Sequence, residues 1–428
     1  MLQTSQKNKK PTLCGLIGRK LGHSYSQSIH QRIGNYPYHL IELEPNQLKD
    51  FLLEKNYLGL NVTIPYKEAA LPYLDNLDPL AKAIGSVNTI VNEEGKLKGY
   101  NTDYAGLDFL LKNNHLTLTG KNVLILGSGG SAKMIAVYAK NHNCHRVSHL
   151  SIRQAFPPLK ANNQAAQVIF NATPVGMYPN NQDLRLNLTA FPQLEAVVDL
   201  IYNPLRSSLV LQAKSQGIQA IGGLDMLIAQ AFFASQLFTG KSYPTDFIHQ
   251  ICQSYWQGIE NLVFIGMPGV GKTTLGKKLA DQLGRPFLDT DQLIEAVIHQ
   301  PISEYISKVG EKPFRDLEEK IIHQVAKENG QVIATGGGAI LRARNRQALT
   351  QNGRLILLER PLEELSRKGR PLSASLDQVK RLWNERKTLY QESADLIIPV
   401  KSSIPTSYQE MQERLIKHAI ISPQRTQP

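Results

Sequence analysis

The stretch GMPGVGKTT, Gly266 to Thr274, and its counterpart GSGGSA, Gly127 to Ala132, decide how this chain is read. Each is a glycine-rich turn between an apolar run and a helical pattern; NLVFI precedes the first and KNVLIL the second. Glycines let backbone approach a phosphate, and the free N–H groups of the following helix receive its charge. Both turns read as phosphate-binding loops of different construction, so the chain reads as two nucleotide-using units in series.

The later turn matches G-x-x-x-x-G-K-[ST] over Gly266 to Thr273. Gly266, Gly269, Gly271 and Thr274 then belong to an ATP-binding loop. Lys272 reaches the β- and γ-phosphates, and the Thr273 hydroxyl binds magnesium. The earlier turn is GxGxxA, with Gly127, Gly129 and Ala132 at the fixed positions and Ser128, Gly130 and Ser131 between them. That pattern between strand and helix predicts a dinucleotide pyrophosphate site. An NAD enzyme usually carries an acid at the end of the next strand, whereas this strand ends HLSIRQ. Arg153 there suits the 2′-phosphate of NADP; an ordinary surface arginine is the other reading.

Around these turns, LCGLIG (13–18), HLIELE (39–44) and LGLNVTIPY (58–66) read as strands, with short helices between them. NQLKDFLLE reads as a helix with Asn46 as a possible cap, and SVNTIVNEEGKLKGYNTD as a hairpin turning at Glu94-Gly95. Repeated strand–loop–helix units then continue from KNVLILG to LDMLIAQAFFASQLF and imply a parallel sheet. TGKSYPTDFIHQICQSYWQGIE reads as the junction, with a boundary near Gln257, after which NLVFIG opens a new α/β unit. The expected fold is an N-terminal α/β substrate domain plus a Rossmann NADP domain, followed by a P-loop parallel α/β domain. The expected bounds are 1–105 (with helices in 225–255 packing back), 106–255 and 256–428.

Composition agrees with this frame. A chain of 428 residues holds two or three domains, and 42% hydrophobic with 20% charged residues suits soluble globular ones. The net charge of +12 is spread along the chain without an aromatic-interleaved basic block. That predicts an enzyme with anionic substrates and no nucleic-acid partner. Three distant cysteines fit a reducing, cytoplasmic setting. MLQTSQKNKKPT lacks the apolar centre of a secretory signal, and the apolar window Leu224–Phe238 is broken by Asp225, Gln230 and Gln236, so no membrane span is expected. The oligomeric state is left open.

Seven stretches in one order carry a family resemblance: GRKLGHSYSQSIHQ (18–31), LNVTIPYKEA (60–69), AIGSVNTI (83–90), GYNTDYAG (99–106), FNATPVGM (170–177), VVDLIYNPL (197–205) and GLDMLIAQA (223–231). With them the chain resembles shikimate dehydrogenase over nearly all of residues 12–250. The resemblance implies that Ser24 and Ser26 bind the substrate carboxylate. It makes Lys67 and Asp103 the catalytic pair, and Thr63, Asn88, Gln230 and Tyr202 further substrate contacts. Taken singly, Lys67 also reads as a solvated loop lysine and Asp103 as a helix N-cap. A lysine held by an aspartate can deliver a proton to a developing alkoxide while the cofactor carries the hydride. Two departures stand out: Ser151-Ile152-Arg153 replaces the family's Asn-Arg-Thr, and Gln27 stands where a proline usually follows the serines.

LDTD (288–291), GEKPFRDLE (310–318), ATGGGAI (334–340), GRPL (369–372) and RKTLY (386–390) give residues 261–415 a resemblance to shikimate kinase. It implies Asp289 beside the magnesium and Asp291 on the acceptor hydroxyls. Arg315, Gly336, Gly337, Gly338 and Arg386 would form the acceptor site, Arg370 would be a lid arginine, and Arg367 would lie near the adenine. Two arginines can each clamp a carboxylate in a fork. The lid stretch SRKGRPLS is short for the family, with Ser373 replacing an apolar residue. The resemblances imply NADP(H), ATP and Mg2+ as cofactors, and 3-dehydroshikimate and shikimate as substrates, used in consecutive steps. Quinate as dehydrogenase substrate, or a degenerate regulatory P-loop module, are the other readings.

Overall fold

The computed structural model describes residues 12–22, 24–150, 161–179, 181, 186–366, 375–401 and 403–423. By its contacts the chain divides into two compact units, Met1–Tyr202 with Gln212–Gln253, and Asn203–Leu211 with Ser254–Pro428.

The first unit holds two sheets. The N-terminal one is built from β1 (Cys14–Gly18), β2 (Tyr38–Glu42), β3 (Gly59–Val62), β4 (Asn76–Leu77), β5 (Thr89–Glu93) and β6 (Lys96–Tyr100), in the order β2-β1-β3-β5-β6-β4. β5 runs antiparallel to both its neighbours, and the other pairs are parallel. The expected hairpin forms, with Glu94 and Gly95 both in the left-handed region that a tight two-residue turn requires. β1 and β3 are buried along their whole length, which is why CGLIG and GLNV read as short apolar runs. The helix of NQLKDFLLE starts later than expected. Pro45–Gln47 forms a 3-10 turn closed by a Glu44–Gln47 capping box, so Asn46 lies inside the turn and is not a cap. Asp103 is not a cap either, because Asn101 precedes the helix Thr102–Asn113.

β7 (Asn122–Leu126), β8 (Arg146–Leu150), β9 (Val168–Asn171), β10 (Ala196–Asp199) and β11 (Gln219–Gly222) form a fully parallel sheet in the order β11-β10-β9-β7-β8. The chain steps from β7 outward to β8, then crosses back to β9 on the other side of β7. That reversal opens a crevice at the carboxyl end of β7, where nucleotides bind in such sheets. The turn Gly127–Gly129 lies there, followed by the helix Gly130–Asn141.

Two helices fix the geometry between these sheets. The helix Leu224–Thr239, LDMLIAQAFFASQLFT, crosses the helix Thr102–Asn113 at Gly106. A Cβ on Gly106 would lie 2.8 Å from the Met226 carbonyl oxygen and 3.1 Å from Gln230 Cβ. Only glycine permits this approach, and it brings Gln230 up to the start of the helix that carries Asp103.

The second unit is one parallel sheet, β12 (Asn261–Ile265), β13 (Phe287–Asp289), β14 (Val332–Ala334), β15 (Gly353–Glu359) and β16 (Leu396–Pro399), in the order β13-β14-β12-β15-β16. Its core is built around Val263, Phe264, Ile333 and Ile356. Residues 203–211 pack within this unit, where Arg206 pairs with Glu260 and the Leu205 N–H donates to Asn352 Oδ1 at 2.9 Å. The sequence reads 245–257 as part of a junction; the structure makes Thr245–Ile259 a helix. Its apolar positions Ile248, Ile251, Cys252 and Tyr255 repeat at helical spacing and are buried, and that period outweighs the Gly-Ser-Pro signal just before it.

Candidate active sites

In the first unit Lys67 stands on the short helix Tyr66–Ala69, which follows β3, and Asp103 in the first turn of Thr102–Asn113. Lys67 Nζ donates to Asp103 Oδ2 at 2.5 Å, with both side chains largely buried. Asn88 Nδ2 donates to the other carboxylate oxygen, Asp103 Oδ1, at 2.8 Å, and lies 3.2 Å from Gln230 Oε1. Four residues that the sequence places in one site, Lys67, Asp103, Asn88 and Gln230, are thus one hydrogen-bonded group. Much of the Asn88 amide is spent on Asp103.

Ser24 and Ser26 lie at the start of the helix Ser26–Ile33, with the Ser26 N–H donating to Ser24 Oγ at 3.2 Å. Gln27, in the place of the family's proline, donates from Nε2 to the Tyr38 carbonyl at 3.1 Å and ties this helix to β2. Tyr25, between the serines, packs its ring 5.3 Å from that of Tyr202, so Tyr202 stands beside the serine loop. Thr63 is half-buried, its N–H donating to the Ile17 carbonyl at 3.0 Å.

The nucleotide turn closes on this group. Gly127 has φ +113°, and a Cβ there would sit 3.0 Å from the Ala172 carbonyl oxygen, so both conformation and space demand glycine. The first turn of the helix Gly130–Asn141 has no side-chain cap, which leaves its N–H groups for an anion. A Cβ on Gly130 would lie 3.6 Å from Lys67 Cδ and 3.3 Å from Ser86 Oγ. Ser128, Gly129 and Ser131 line the turn and Ala132 is buried beneath it. Arg153 lies outside the described residues.

The second unit's P-loop follows β12. Gly266, Gly269 and Gly271 all take positive φ, and at Gly266 a Cβ would meet the Leu358 carbonyl oxygen at 2.6 Å. Lys272 Nζ donates to the carbonyls of Gly266 (2.8 Å) and Met267 (3.0 Å), so its ammonium sits over the loop. Thr273 Oγ1 donates to Asp289 Oδ2 at 2.7 Å. Asp289 Oδ1 caps the helix Thr290–Ile298 through the N–H groups of Asp291 and Gln292. Thr274 is exposed on the helix Lys272–Leu283.

Asp291 faces the triple glycine. A Cβ on Gly336 would lie 2.5 Å from Asp291 Oδ1 and 3.1 Å from Glu318 Oε1. One on Gly337 would meet Pro268 of the P-loop at 2.6 Å, and one on Gly338 would run into Arg315 Nη1. Burial, and then the charge of Asp289, push the Asp291 carboxyl up to about 6, against the pull of Lys272. Arg315 is held by Glu318 (2.8 Å) and Glu311 (2.9 Å), both on its own helix Glu311–Val325. Arg386 donates from Nη1 to the Gly337 carbonyl at 3.1 Å, beside Tyr390, whose hydroxyl donates to the same oxygen. The Arg386 Nε is buried without a hydrogen-bond partner among the described residues. Arg367, Arg370 and Ser373 lie outside the described residues.

Glu318 is the residue that sequence reading missed. It is 1% exposed, its carboxyl is raised by burial, and its Oε1 has no partner among the described residues. The signal was its place three residues after Arg315, a spacing that puts two side chains on one face of a helix.

Comparison with known proteins matches two family models to the chain. A family model described as "Shikimate dehydrogenase substrate binding domain" matches residues 16–90, and one described as "Shikimate kinase" matches residues 268–418. A shikimate dehydrogenase (NADP(+)) from Clostridium perfringens is 34% identical over 265 residues, 56% of this chain and 98% of that protein. The chain belongs to the shikimate dehydrogenase family. It carries in addition a shikimate kinase domain. A second shikimate dehydrogenase (NADP(+)), from Halothermothrix orenii, is 36% identical over 53% of this chain and 90% of its own. Among solved structures, shikimate dehydrogenase 1 from Peptoclostridium difficile is similar with TM-score 0.52 and 31% identity, over 57% of this chain and 97% of that one. A chorismate mutase/shikimate 5-dehydrogenase fusion protein from Clostridium acetobutylicum gives TM-score 0.53 and 31% identity, over 57% and 96%. Shikimate dehydrogenase activity with NADP is supported by these relatives, and no helix among the described residues is long and apolar enough to cross a membrane.

Proposed function

We propose that this chain is a bifunctional enzyme. Its dehydrogenase reduces 3-dehydroshikimate to shikimate with NADPH, and its kinase phosphorylates the 3-hydroxyl of shikimate with ATP and magnesium. Functional domains at 1–105 with 225–255, 106–255 and 256–428 fit this division, apart from residues 203–211, which pack within the second unit. Nucleotide substrates and three free cysteines suit the cytoplasm.

The observation that carries the reading is that each unit assembles its own polar set: Lys67–Asp103–Asn88 against Gly130, and Lys272–Thr273–Asp289–Asp291 against the triple glycine. In the first, NADPH supplies the hydride. The Lys67 ammonium donates a proton to the substrate oxygen as it becomes an alkoxide, and its charge stabilises that oxygen beforehand. Asp103 holds the ammonium in place, and Ser24 and Ser26 offer hydroxyls to the carboxylate.

In the second, ATP with magnesium supplies the phosphoryl group. Thr273 and Asp289 present hard oxygen donors 2.7 Å apart, which is the chemistry magnesium takes beside phosphates, and these residues would hold it. Asp291 orients the acceptor hydroxyl and takes its proton, and its raised pKa suits a base. Arg315 and Arg386 clamp the acceptor carboxylate, and the Arg386 Nε, without a hydrogen-bond partner among the described residues, supports an anion there.

The test is to incubate the protein with 3-dehydroshikimate, NADPH, ATP and magnesium, following NADPH loss and ADP release. Lys67→Ala removes only reduction, and Lys272→Ala removes only phosphorylation. A wild-type protein with neither activity, or reduction intact in Lys67→Ala, sinks the proposal. Reduction without ADP release returns the P-loop unit to a regulatory role.

A further inference from the structure

We infer that Thr89 and Asn61, which touch neither substrate nor cofactor in the reading above, are positioning residues for the Lys67–Asp103 pair, acting through Asn88. The inference rests on the dehydrogenase reading and goes beyond it.

The Thr102 backbone N–H, which can only donate, lies 2.7 Å from Asn88 Oδ1. That contact fixes which end of the Asn88 amide is oxygen. The Nδ2 end must then face Asp103 Oδ1, Thr102 Oγ1 and Gln230 Oε1, at 2.8, 3.0 and 3.2 Å. The flip of one amide decides whether Asp103 meets a donor or an acceptor.

The oxygen end is held by more than Thr102. Thr89 Oγ1 donates to Asn88 Oδ1 at 3.1 Å. Asn61 Nδ2 approaches Thr89 Oγ1 at 3.2 Å and the Asn88 carbonyl at 3.3 Å. The Asn61 amide is oriented in turn by the Tyr38 hydroxyl, which donates to its Oδ1 at 2.7 Å. Tyr38 is braced by the His30 ring, stacked 3.8 Å away at 12°. The result is a directed chain: Tyr38 O–H to Asn61, Asn61 N–H to Thr89, Thr89 O–H to Asn88, Asn88 N–H to Asp103. Its members come from β2, β3, β5 and the loop before β5, and Asn61, Asn88 and Thr89 are at most 3% exposed. The Thr89 hydroxyl also lies 3.0 Å from Thr102 Oγ1, where either can donate, and Thr102 Oγ1 lies 3.2 Å from Asn88 Oδ1. It is the two amides, Asn61 and Asn88, whose reversal would bury an unmatched donor or acceptor, and Thr89 is the hydroxyl that joins them. Among the described residues the charged group set directly on Asp103 is Lys67, so the chain adds no second charge to the pair; it sets direction only.

The experiment compares wild type, Thr89→Val, Thr89→Ala and Thr89→Ser. Val and Ala both remove the hydroxyl, one keeping the shape and the other adding no bulk, while Ser restores it. Reduction of 3-dehydroshikimate is measured as kcat and KM across pH. The Asp103 carboxyl is followed in parallel by carbon NMR of aspartate-labelled protein, assigned with Asp103→Asn. Val and Ala lower kcat about tenfold with KM within about twofold, displace the pH profile of kcat, and move the Asp103 carboxyl chemical shift; Ser restores all three. Folded Val and Ala variants with wild-type kcat, pH profile and Asp103 carboxyl shift overturn the inference, as does a Ser variant that fails to recover them. A wild type that does not turn over 3-dehydroshikimate refutes the functional reading instead. The Asp103 carboxyl shift then decides the network alone, and identical shifts in wild type and Thr89→Val overturn it.

Discussion

Replacing Asp291 with asparagine will make the kinase unit more stable and inactive, and the stability gain will depend on pH. In the fold, burial and the Asp289 charge raise the Asp291 carboxyl from 3.8 to about 6. The native state therefore binds a proton more tightly than the unfolded chain does. Between these two values the native state holds more protons, so wild-type stability falls as pH rises through the window. Each tenfold difference in proton affinity between the two states is worth about 1.36 kcal/mol, which sets a ceiling of about 3 kcal/mol. The side chain is not sealed from solvent, and screening lowers this to about 1–2 kcal/mol. Asparagine keeps the shape and discards the charge, so Asp291→Asn matches wild type near pH 3.5 and gains the full difference above pH 6. The assay is denaturant unfolding of both proteins at pH steps from 3.5 to 8, with ADP release measured alongside. A variant less stable than wild type at pH 8, or a difference flat across the series, would contradict this proton linkage. A variant that still phosphorylates shikimate would remove Asp291 from the chemistry.

Three further outcomes follow from the same geometry. Gly338→Ala drives a methyl into the Arg315 guanidinium, which a flexible side chain escapes only by leaving Glu318; kcat/KM for shikimate falls about 10–100-fold in steady-state kinetics while NADPH oxidation is unchanged. Gly106→Ala presses a methyl against the Met226 carbonyl, costs about 1–3 kcal/mol in denaturant unfolding, and lowers reduction by displacing Gln230. Asp289→Asn leaves the helix Thr290–Ile298 capped but weakens the proposed magnesium site, so a magnesium titration of ADP release shifts to higher concentration by about tenfold or more.

Much of the fold was legible because buried parallel strands write themselves as short apolar runs. NVLIL, VIFN, AVVD and NLVFI are each buried at four or five positions and each ends at or near a site loop. What was not legible depended on distant partners. Thr245–Ile259 follows a stretch rich in turn formers, and its helical period had to compete with them. Asp103 sat at a plausible cap, but only the structure shows Asn101 in that place and the carboxylate turned to Lys67. Asn88 read as a substrate contact, and its hold on Asp103 depends on an amide orientation set by a backbone N–H fourteen residues away. Glu318 reads as an ordinary helix glutamate until the glycines are folded over it.

The triple glycine bears on how this enzyme could escape an inhibitor. A compound resting on Gly336–Gly338 leans on peptide backbone, and side chains are what ordinarily mutate to evict a drug. Here a side chain at the first position strikes Asp291 and Glu318, at the second Pro268 of the ATP loop, and at the third Arg315. On the proposed kinase reading, each route to resistance at that wall displaces Asp291, the ATP loop or Arg315, so a mutation that sheds the compound also costs turnover.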